Sequence, residues 1–231
     1  NMKLVVGTRG SNLALVQTNW VVDQLKKENP GVEFEVKIIK TKGDLIKDLP
    51  LDKIGDKGLF VKEIEKSLLD GEIDMAVHSM KDMPSYLPEG LKFAHSPKRE
   101  DPRDALIFKE GYKSLDDLPQ GARIGTGSKR RKYQLLKHRP DLEIVPIRGN
   151  IETRIKKIET EKLDGVVLAA SGLRRAGLDD KIDYYIPTDI MLPAPAQGIL
   201  ALEIREDDKE TEKIIDSIKD DVIKMVSDIP L

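Results

Sequence analysis

Short apolar runs and helical stretches alternate along this chain, and they do so twice, with a polar break between the two series. "KLVVGT" (3–8) reads as a buried strand closed by a Gly-Thr turn. "SNLALVQTNWVVDQLKKENPG" reads as a helix, with Ser11 as N-cap, Leu13, Val16 and Trp20 on one face, and Pro30-Gly31 as the stop. "EFEVKIIK" (33–40) alternates as a strand does, "GLFVKEIEKSLLDG" is an amphipathic helix, and "IDMAVHS" (73–79) is another buried strand. Strand–helix–strand order of this kind implies parallel pairing through right-handed crossovers.

The second series follows "SPKREDPRD" (96–104), which reads as a linker. It runs through "RIGTGS", "KRRKYQLLKHRP", "LEIVPIRGN", "IETRIKKIETEKL" with Asn150 as cap, and "DGVVLAAS". "ILALEI", after the turn "PAPAQG", reads as a strand returning to the first sheet. The stretch from Asp208 onward is a polar helical pattern with no evident core partner. The expected fold is therefore α/β, two lobes around a cleft, each a mixed, mostly parallel sheet flanked by helices. The first lobe is expected over 1–97 plus 197–219 and the second over 98–196.

Composition removes several function classes. Lys plus Arg (39) nearly balance Asp plus Glu (41), so no global basic field for nucleic acid exists and any basic site must be local. The 231 residues contain no cysteine, which excludes disulfides, thiolate metal sites and cysteine nucleophiles within them. The three histidines, 78, 95 and 138, show no metal spacing, so no metal is expected. No apolar run approaches the roughly 18 residues of a membrane span, and nothing ahead of Met2 reads as a signal peptide. A soluble, cytoplasmic protein is the expectation.

Polar clusters fall at strand ends, where open α/β sheets bind ligands. "TRGS" (8–11) offers backbone N–H groups, Arg9 and Ser11 to an anion; a plain capping turn with a solvated arginine is the alternative. "HSMKDMP" (78–84) places Lys81 and Asp82 at the end of a very apolar strand. A carboxylate there can move protons or stabilise a developing cation, unless it is a surface turn closed by Pro84. His78 reads as a satisfied structural histidine in preference to a general base.

"GTGSKRR" (125–131) fails the Walker pattern, because Ser128 precedes Lys129. It leaves an anion-binding helix start with Arg130 and Arg131 in its first turn, where the helix dipole disfavours them. Arg148 and Arg154 in "IRGNIETR", and Arg174 and Arg175 in "LRRAGL", add further guanidinium edges. Arginine grips carboxylate and phosphate with two prongs, so several such edges imply a polyanionic substrate. "DKIGDKGLFVKE" (52–63) reads either as a flap or as a plain surface loop, and Gln197 in "PAPAQG" can offer an amide to a ligand.

"TRGSNLALVQ", "DKGLFVKEIE", "AVHSMKDMP", "GTGSKRR", "IRGNIETR", "LAASGLRRAGL" and "LPAPAQGILALEIR" together resemble the hydroxymethylbilane synthase (porphobilinogen deaminase) family, in order and spacing, over roughly residues 2 to 207. The resemblance implies two lobes like those of type II periplasmic binding proteins, followed by a small third domain. It implies a transferase of tetrapyrrole biosynthesis that condenses four porphobilinogen molecules head to tail with loss of ammonia. It implies a dipyrromethane cofactor, held by a thioether to a cysteine of the third domain. By motif, Asp82 would be the catalytic carboxylate. Arg9, Arg130, Arg131, Arg148, Arg154 and Arg175 would bind acetate and propionate groups, with Ser11, Lys81 and Ser128 assisting. Lys53, Lys57 and Phe60 would belong to an active-site loop, and Gln197 to the hinge side of the cleft.

Two departures stand out. The turn usually reading G-T-S-S-L-R-R carries Gly127 and Lys129 here. The cofactor-bearing cysteine and its domain are missing from the sequence, so the chain is expected to be incomplete alone, its third domain truncated or carried on another chain. The expected partners are porphobilinogen and the growing pyrrole chain, with no nucleic acid, no membrane and a monomeric state. The competing expectation is a two-lobe module that binds a polyanion without turnover.

Overall fold

The computed structural model describes residues 2–45 and 57–220. Two compact units emerge, one built from the chain up to Arg99 and again from Ile199 onward, the other from Glu100–Gly198. The first unit's sheet takes strands β1 (Lys3–Thr8), β2 (Glu33–Ile38), β3 (Met75–Ser79) and β4 (Leu91–Phe93), and later β10 (Leu200–Arg205), in the order β2-β1-β3-β10-β4. β1 runs parallel to β2, Lys3 opposite Glu33, and parallel to β3. β10 is antiparallel to β3, Leu200 opposite Ser79, and antiparallel to β4. The strand expected to return to this sheet does return, between β3 and β4. Its antiparallel entry makes the sheet half parallel and half antiparallel, where a mostly parallel one was expected.

Helices α1 (Asn12–Glu28), α2 (Lys42–Leu45), α3 (Lys62–Leu69) and, at the end, α7 (Lys209–Ile215) belong to this unit. Ser11 caps α1 as expected, its Oγ accepting from the Ala14 N–H at 3.3 Å. The buried stripe of α1 is Gln17, Thr18, Val21, Val22 and Leu25 rather than the expected Leu13, Val16 and Trp20. Alternation sorts the strands: Leu4, Val6, Met75, Val77, Leu200, Leu202 and Ile204 share one core with Val21, Val22 and Leu25. The stretch after Asp208 does have a core partner. Ile214 and Ile215 of α7 complete that same core, while its charged residues stay outside. The opposite face of the sheet packs Ala76 and Leu91 against Ile64 and Leu68 of α3.

The second unit repeats the plan with strands β5 (Asp104–Phe108), β6 (Arg123–Gly125), β7 (Glu143–Val145), β8 (Gly165–Ala169) and β9 (Tyr184–Tyr185), ordered β7-β6-β8-β5-β9. β6 is parallel to β7 and β8, while β5 is antiparallel to β8 and β9. Its helices are α4 (Lys129–His138), α5 (Ile151–Thr160) and α6 (Ala170–Arg175). Asn150 caps α5 as expected, accepting from the Thr153 N–H at 2.8 Å. Leu106, Phe108, Ile124, Leu135, Val167 and Ile186 form the core. β5 begins inside the segment expected to be a linker: Asp104, its first residue, is fully buried. No described helix is long and apolar enough to cross a membrane.

Candidate functional site

In the first unit the chain leaves β1 into Arg9. Its Nε donates to Asp44 Oδ1 at 3.0 Å, and its guanidinium lies 4.3 Å from the centre of the Phe60 ring. A side chain on Gly43 would bring its Cβ within 2.5 Å of that ring, so the glycine is what lets Phe60 sit there. Asp44 also accepts from the Thr41 hydroxyl at 2.7 Å. Burial works to raise its pKa, but the bonds from Arg9 and Thr41 outweigh that and hold it below the usual carboxylate range. Arg9 is thus engaged by a carboxylate of its own unit, which the sequence reading missed. Lys53 lies outside the described residues, and so does the side chain of Lys57.

β3 ends in a short 3₁₀ turn, Met80–Asp82, whose first N–H donates to the Ile199 carbonyl at 2.9 Å. Ser79 beside it accepts from the Gln17 amide at 3.0 Å. Lys81 is half-buried, and Asp82 is exposed on this pinned turn. His78 is buried, and its Nε2 lies 2.9 Å from Glu203 Oε1. Burial first, and Arg9 secondarily, push its pKa down to about 4. The expected structural role for His78 fits this setting. Behind it stands buried Glu65, whose pKa is pushed up to about 8 by burial and by its hydrogen bond to Glu203.

These shifts give the first unit a stability optimum. Glu65 keeps its proton up to about pH 8 when folded but releases it near 4.5 when unfolded. Its contribution is complete below 4.5 and is lost as pH rises through about 8. His78 works the other way: its contribution is full above 6.5 and is lost as pH falls through about 4. We expect Glu65→Gln to flatten the alkaline side in urea unfolding at pH 6 and pH 8.5, leaving the acid side in place.

In the second unit Ser128 caps α4, accepting from the Arg131 N–H at 3.2 Å. A Cβ on Gly127 would stand 2.7 Å from the Ile147 carbonyl oxygen, so this turn, as folded, has room only for glycine. Arg130 donates to Asp104 Oδ2 at 2.9 Å and Oδ1 at 3.2 Å, and to the Leu192 carbonyl at 2.6 Å. Arg131 Nε donates to Asp104 Oδ1 at 2.9 Å. Gln197, fully buried, donates its amide to Asp104 Oδ1 at 3.1 Å and to the Pro102 carbonyl at 2.8 Å. One carboxylate thus anchors two guanidiniums and an amide. Burial opposes its ionisation, but the charges and bonds of Arg131 and Arg130 hold its pKa down.

The remaining arginines differ in setting. Arg154 has its Nε buried with no hydrogen-bond partner, and its pKa falls to about 10 through burial and then the nearby Arg131 charge. Arg175 donates to the Gly198 carbonyl at 2.8 Å, and burial also brings it to about 10. Arg148 is exposed. Arg174 is committed elsewhere, to Glu100 at 2.8 Å and the Tyr185 hydroxyl at 3.1 Å. Around buried Arg131 and half-buried Arg154 the second unit therefore gathers more positive charge than the single carboxylate of Asp104 neutralises. Buried charge without a partner is costly, so such a cluster is suited to anions. Among the described residues, no group of three or more acidic or imidazole side chains could hold a metal ion.

Two mixed sheets, each flanked by helices and carrying polar side chains at its strand ends, define the class, a two-unit α/β protein. The BenM effector-binding domain with its effector benzoate shares this fold: 12% identical, TM-score 0.51, covering 98% of this chain and 92% of that one. Sequence comparison goes further. Residues 4–213 match the family described as porphobilinogen deaminase, dipyromethane cofactor binding domain. The porphobilinogen deaminase of Clostridioides difficile (strain 630) is 70% identical over 220 residues, covering 95% of this chain and 73% of the relative. That of Clostridium novyi (strain NT) is 64% identical over 222 residues, covering 95% and 74%. The chain belongs to the porphobilinogen deaminase family.

Proposed function

We propose that this chain carries the head-to-tail condensation of four porphobilinogen molecules to hydroxymethylbilane, each addition releasing ammonia. The observation that carries the reading is the guanidinium cluster of the second unit, buried Arg131 and half-buried Arg154 above all, whose combined charge the single carboxylate of Asp104 does not balance. Every pyrrole of the substrate brings two carboxylates, so a growing chain needs such a surface. Arg130, Arg131, Arg148, Arg154 and Arg175 take acetate and propionate groups there, and Ser128 adds its hydroxyl proton. Gln197 acts through Asp104, because its amide is already spent on that carboxylate.

In the first unit, Asp82 takes the chemical role. Breaking the aminomethyl C–N bond needs a proton on the departing nitrogen and a negative charge near the cation left on the ring. Joining the next pyrrole then releases a proton from the attacking ring carbon. One exposed carboxylate on a pinned turn can give and take that proton, round after round. Lys81 and Ser11 assist, and Arg9 exchanges Asp44 for a substrate carboxylate beside Phe60; Lys53 and Lys57 add further positive charge for the same acid side chains.

The residues fit a dipyrromethane, since a guanidinium such as that of Arg154, whose buried Nε has no hydrogen-bond partner, suits its acid side chains. When bound, that group supplies the free pyrrole position on which the chain grows. These 231 residues contain no thiol, so what they contribute is binding and orientation, not the thioether.

Calorimetric titration of porphobilinogen into the chain and its Arg154→Gln variant tests the binding half. A charge-assisted hydrogen bond contributes about 1.5–3 kcal/mol, so binding should weaken by about 10- to 100-fold. Equal binding by both proteins would remove Arg154 from the site.

A further inference from the structure

In the first unit Arg9 already holds a carboxylate, and it does so in a way that leaves the pair separable. Arg9 Nε and Nη2 converge on one oxygen, Asp44 Oδ1, at 3.0 and 2.5 Å. The other oxygen, Oδ2, is taken by Thr41, whose hydroxyl donates at 2.7 Å and whose N–H donates at 3.3 Å. The Asp44 N–H returns to the Thr41 hydroxyl oxygen at 3.3 Å, which closes a reciprocal cap on the short α2 turn. Thr41 is 1% exposed, and the Lys42 N–H beside it donates to Glu63 Oε1 at 3.1 Å, so α3 holds the turn as well. Asp44 is therefore placed by its own turn and does not depend on Arg9.

Asp104 in the second unit is built differently. It is fully buried and commits both oxygens to Arg130, Arg131 and Gln197, so losing a guanidinium would strand a buried charge. The Asp44 side chain is 25% exposed and that of Arg9 28%. If Arg9 moves away, Asp44 keeps both Thr41 bonds and meets water, and no buried charge is left unpaired. Arg9 also has a first hold for a newcomer: among the described residues its Nη1 makes no hydrogen bond. The Phe60 ring, 4.3 Å away, supports the guanidinium whichever carboxylate it holds.

We propose that Asp44 is a positioning residue for Arg9, a resident counter-ion that keeps the guanidinium paired until substrate arrives and then competes with one substrate carboxylate for it. The inference rests on the proposed role of Arg9 in gripping acid side chains. Exchange replaces one charge-assisted pair by another, so Arg9 orients the incoming carboxylate while adding little net affinity. That suits a chain that gains two carboxylates with every pyrrole and must still leave the protein. Arginines with no resident partner would hold it more tightly at each round. Arg9 first and Thr41 next outweigh burial and keep Asp44 ionised at neutral pH, so the competitor is always charged.

Calorimetric titration of porphobilinogen into the parent, Asp44→Asn, Arg9→Gln and the double variant reads the competition. Asparagine keeps the size of the side chain and an acceptor for Thr41 but brings no charge. Asp44→Asn should therefore tighten binding by about 10-fold, the size of one charge-assisted hydrogen bond. The double variant should bind as Arg9→Gln does, because the competition acts only through Arg9. Unchanged or weaker binding by Asp44→Asn, as loss of a merely structural group would give, overturns the proposal. So does a gain that survives Arg9→Gln. Asp44→Ser, which also keeps an oxygen for Thr41, serves should Asp44→Asn not fold. If porphobilinogen binds no form of the chain, the functional reading has failed, and propionate ion decides the inference. Followed by nitrogen-15 NMR at the Arg9 Nε–H, its midpoint should fall by a similar factor in Asp44→Asn. An equal midpoint, or no response in either protein, overturns the proposal.

Discussion

Asp104→Ala is expected to destabilise the second unit by about 3–5 kcal/mol, the range for removing one partner of a buried ion pair. The loss has three parts. Arg130 and Arg131 keep their positions on α4 but lose their counter-charge, and the Gln197 amide loses an acceptor. Arg131 suffers most, because burial already lowers its pKa and Asp104 is what opposes that. Asp104→Asn keeps one carbonyl acceptor and the size of the side chain, so it should fall between the parent and alanine. Hydrogen exchange resolves the effect by unit: protection should fall in β5, β6, β8 and α4, with the first unit unchanged. An alanine variant whose second unit keeps its protection would show that the guanidiniums find other partners, and the clamp would lose its importance.

How much of this was legible in the sequence depended on what each residue's neighbours looked like. The caps Ser11, Ser128 and Asn150 stood out because local chemistry alone sets a helix start. The strands β1, β3 and β8 stood out because each holds an unbroken run of at least three apolar residues. Asp104 was hidden, since "KREDPRD" reads as a solvated break until β5 is seen to begin on its last residue. Asp44 was hidden for a similar reason: only the fold brings Gly43, Phe60 and Arg9 together around it. Ile214 and Ile215 were masked by the charges around them, although one adjacent pair suffices to anchor a two-turn helix.

Glu203 could have been found. In "LALEIR" it takes the same alternation parity as Ala201, facing the layer that α3 covers, and a carboxylate within such a run needs a partner. The α1 register was misread for the opposite reason. Gln17 and Thr18 are polar by type yet face inward, where Gln17 bonds Ser79 beside the Asp82 turn.

Asp82→Asn is expected to leave stability within about 0.5 kcal/mol of the parent and to lower the rate of porphobilinogen consumption by about 10²- to 10⁴-fold. Both halves follow from its setting. The carboxylate is exposed on a turn that backbone bonds hold, with Met80 N–H on Ile199 O and Met83 N–H on Met80 O, so the fold asks nothing of the side chain. Asparagine preserves the shape and a hydrogen-bond acceptor but can neither carry a proton to the departing nitrogen nor hold negative charge beside the cation. The arginines that would grip the acid side chains are other residues, so porphobilinogen affinity should stay within a few-fold of the parent. The measurement is single-turnover mass analysis with ammonia release, on the chain supplied with free dipyrromethane, beside calorimetric binding. A variant that still consumes porphobilinogen at the parent rate would transfer the proton role elsewhere. A variant that loses affinity and rate in equal measure would make Asp82 a binding group, because a residue acting only in the transition state lowers rate without touching ground-state affinity.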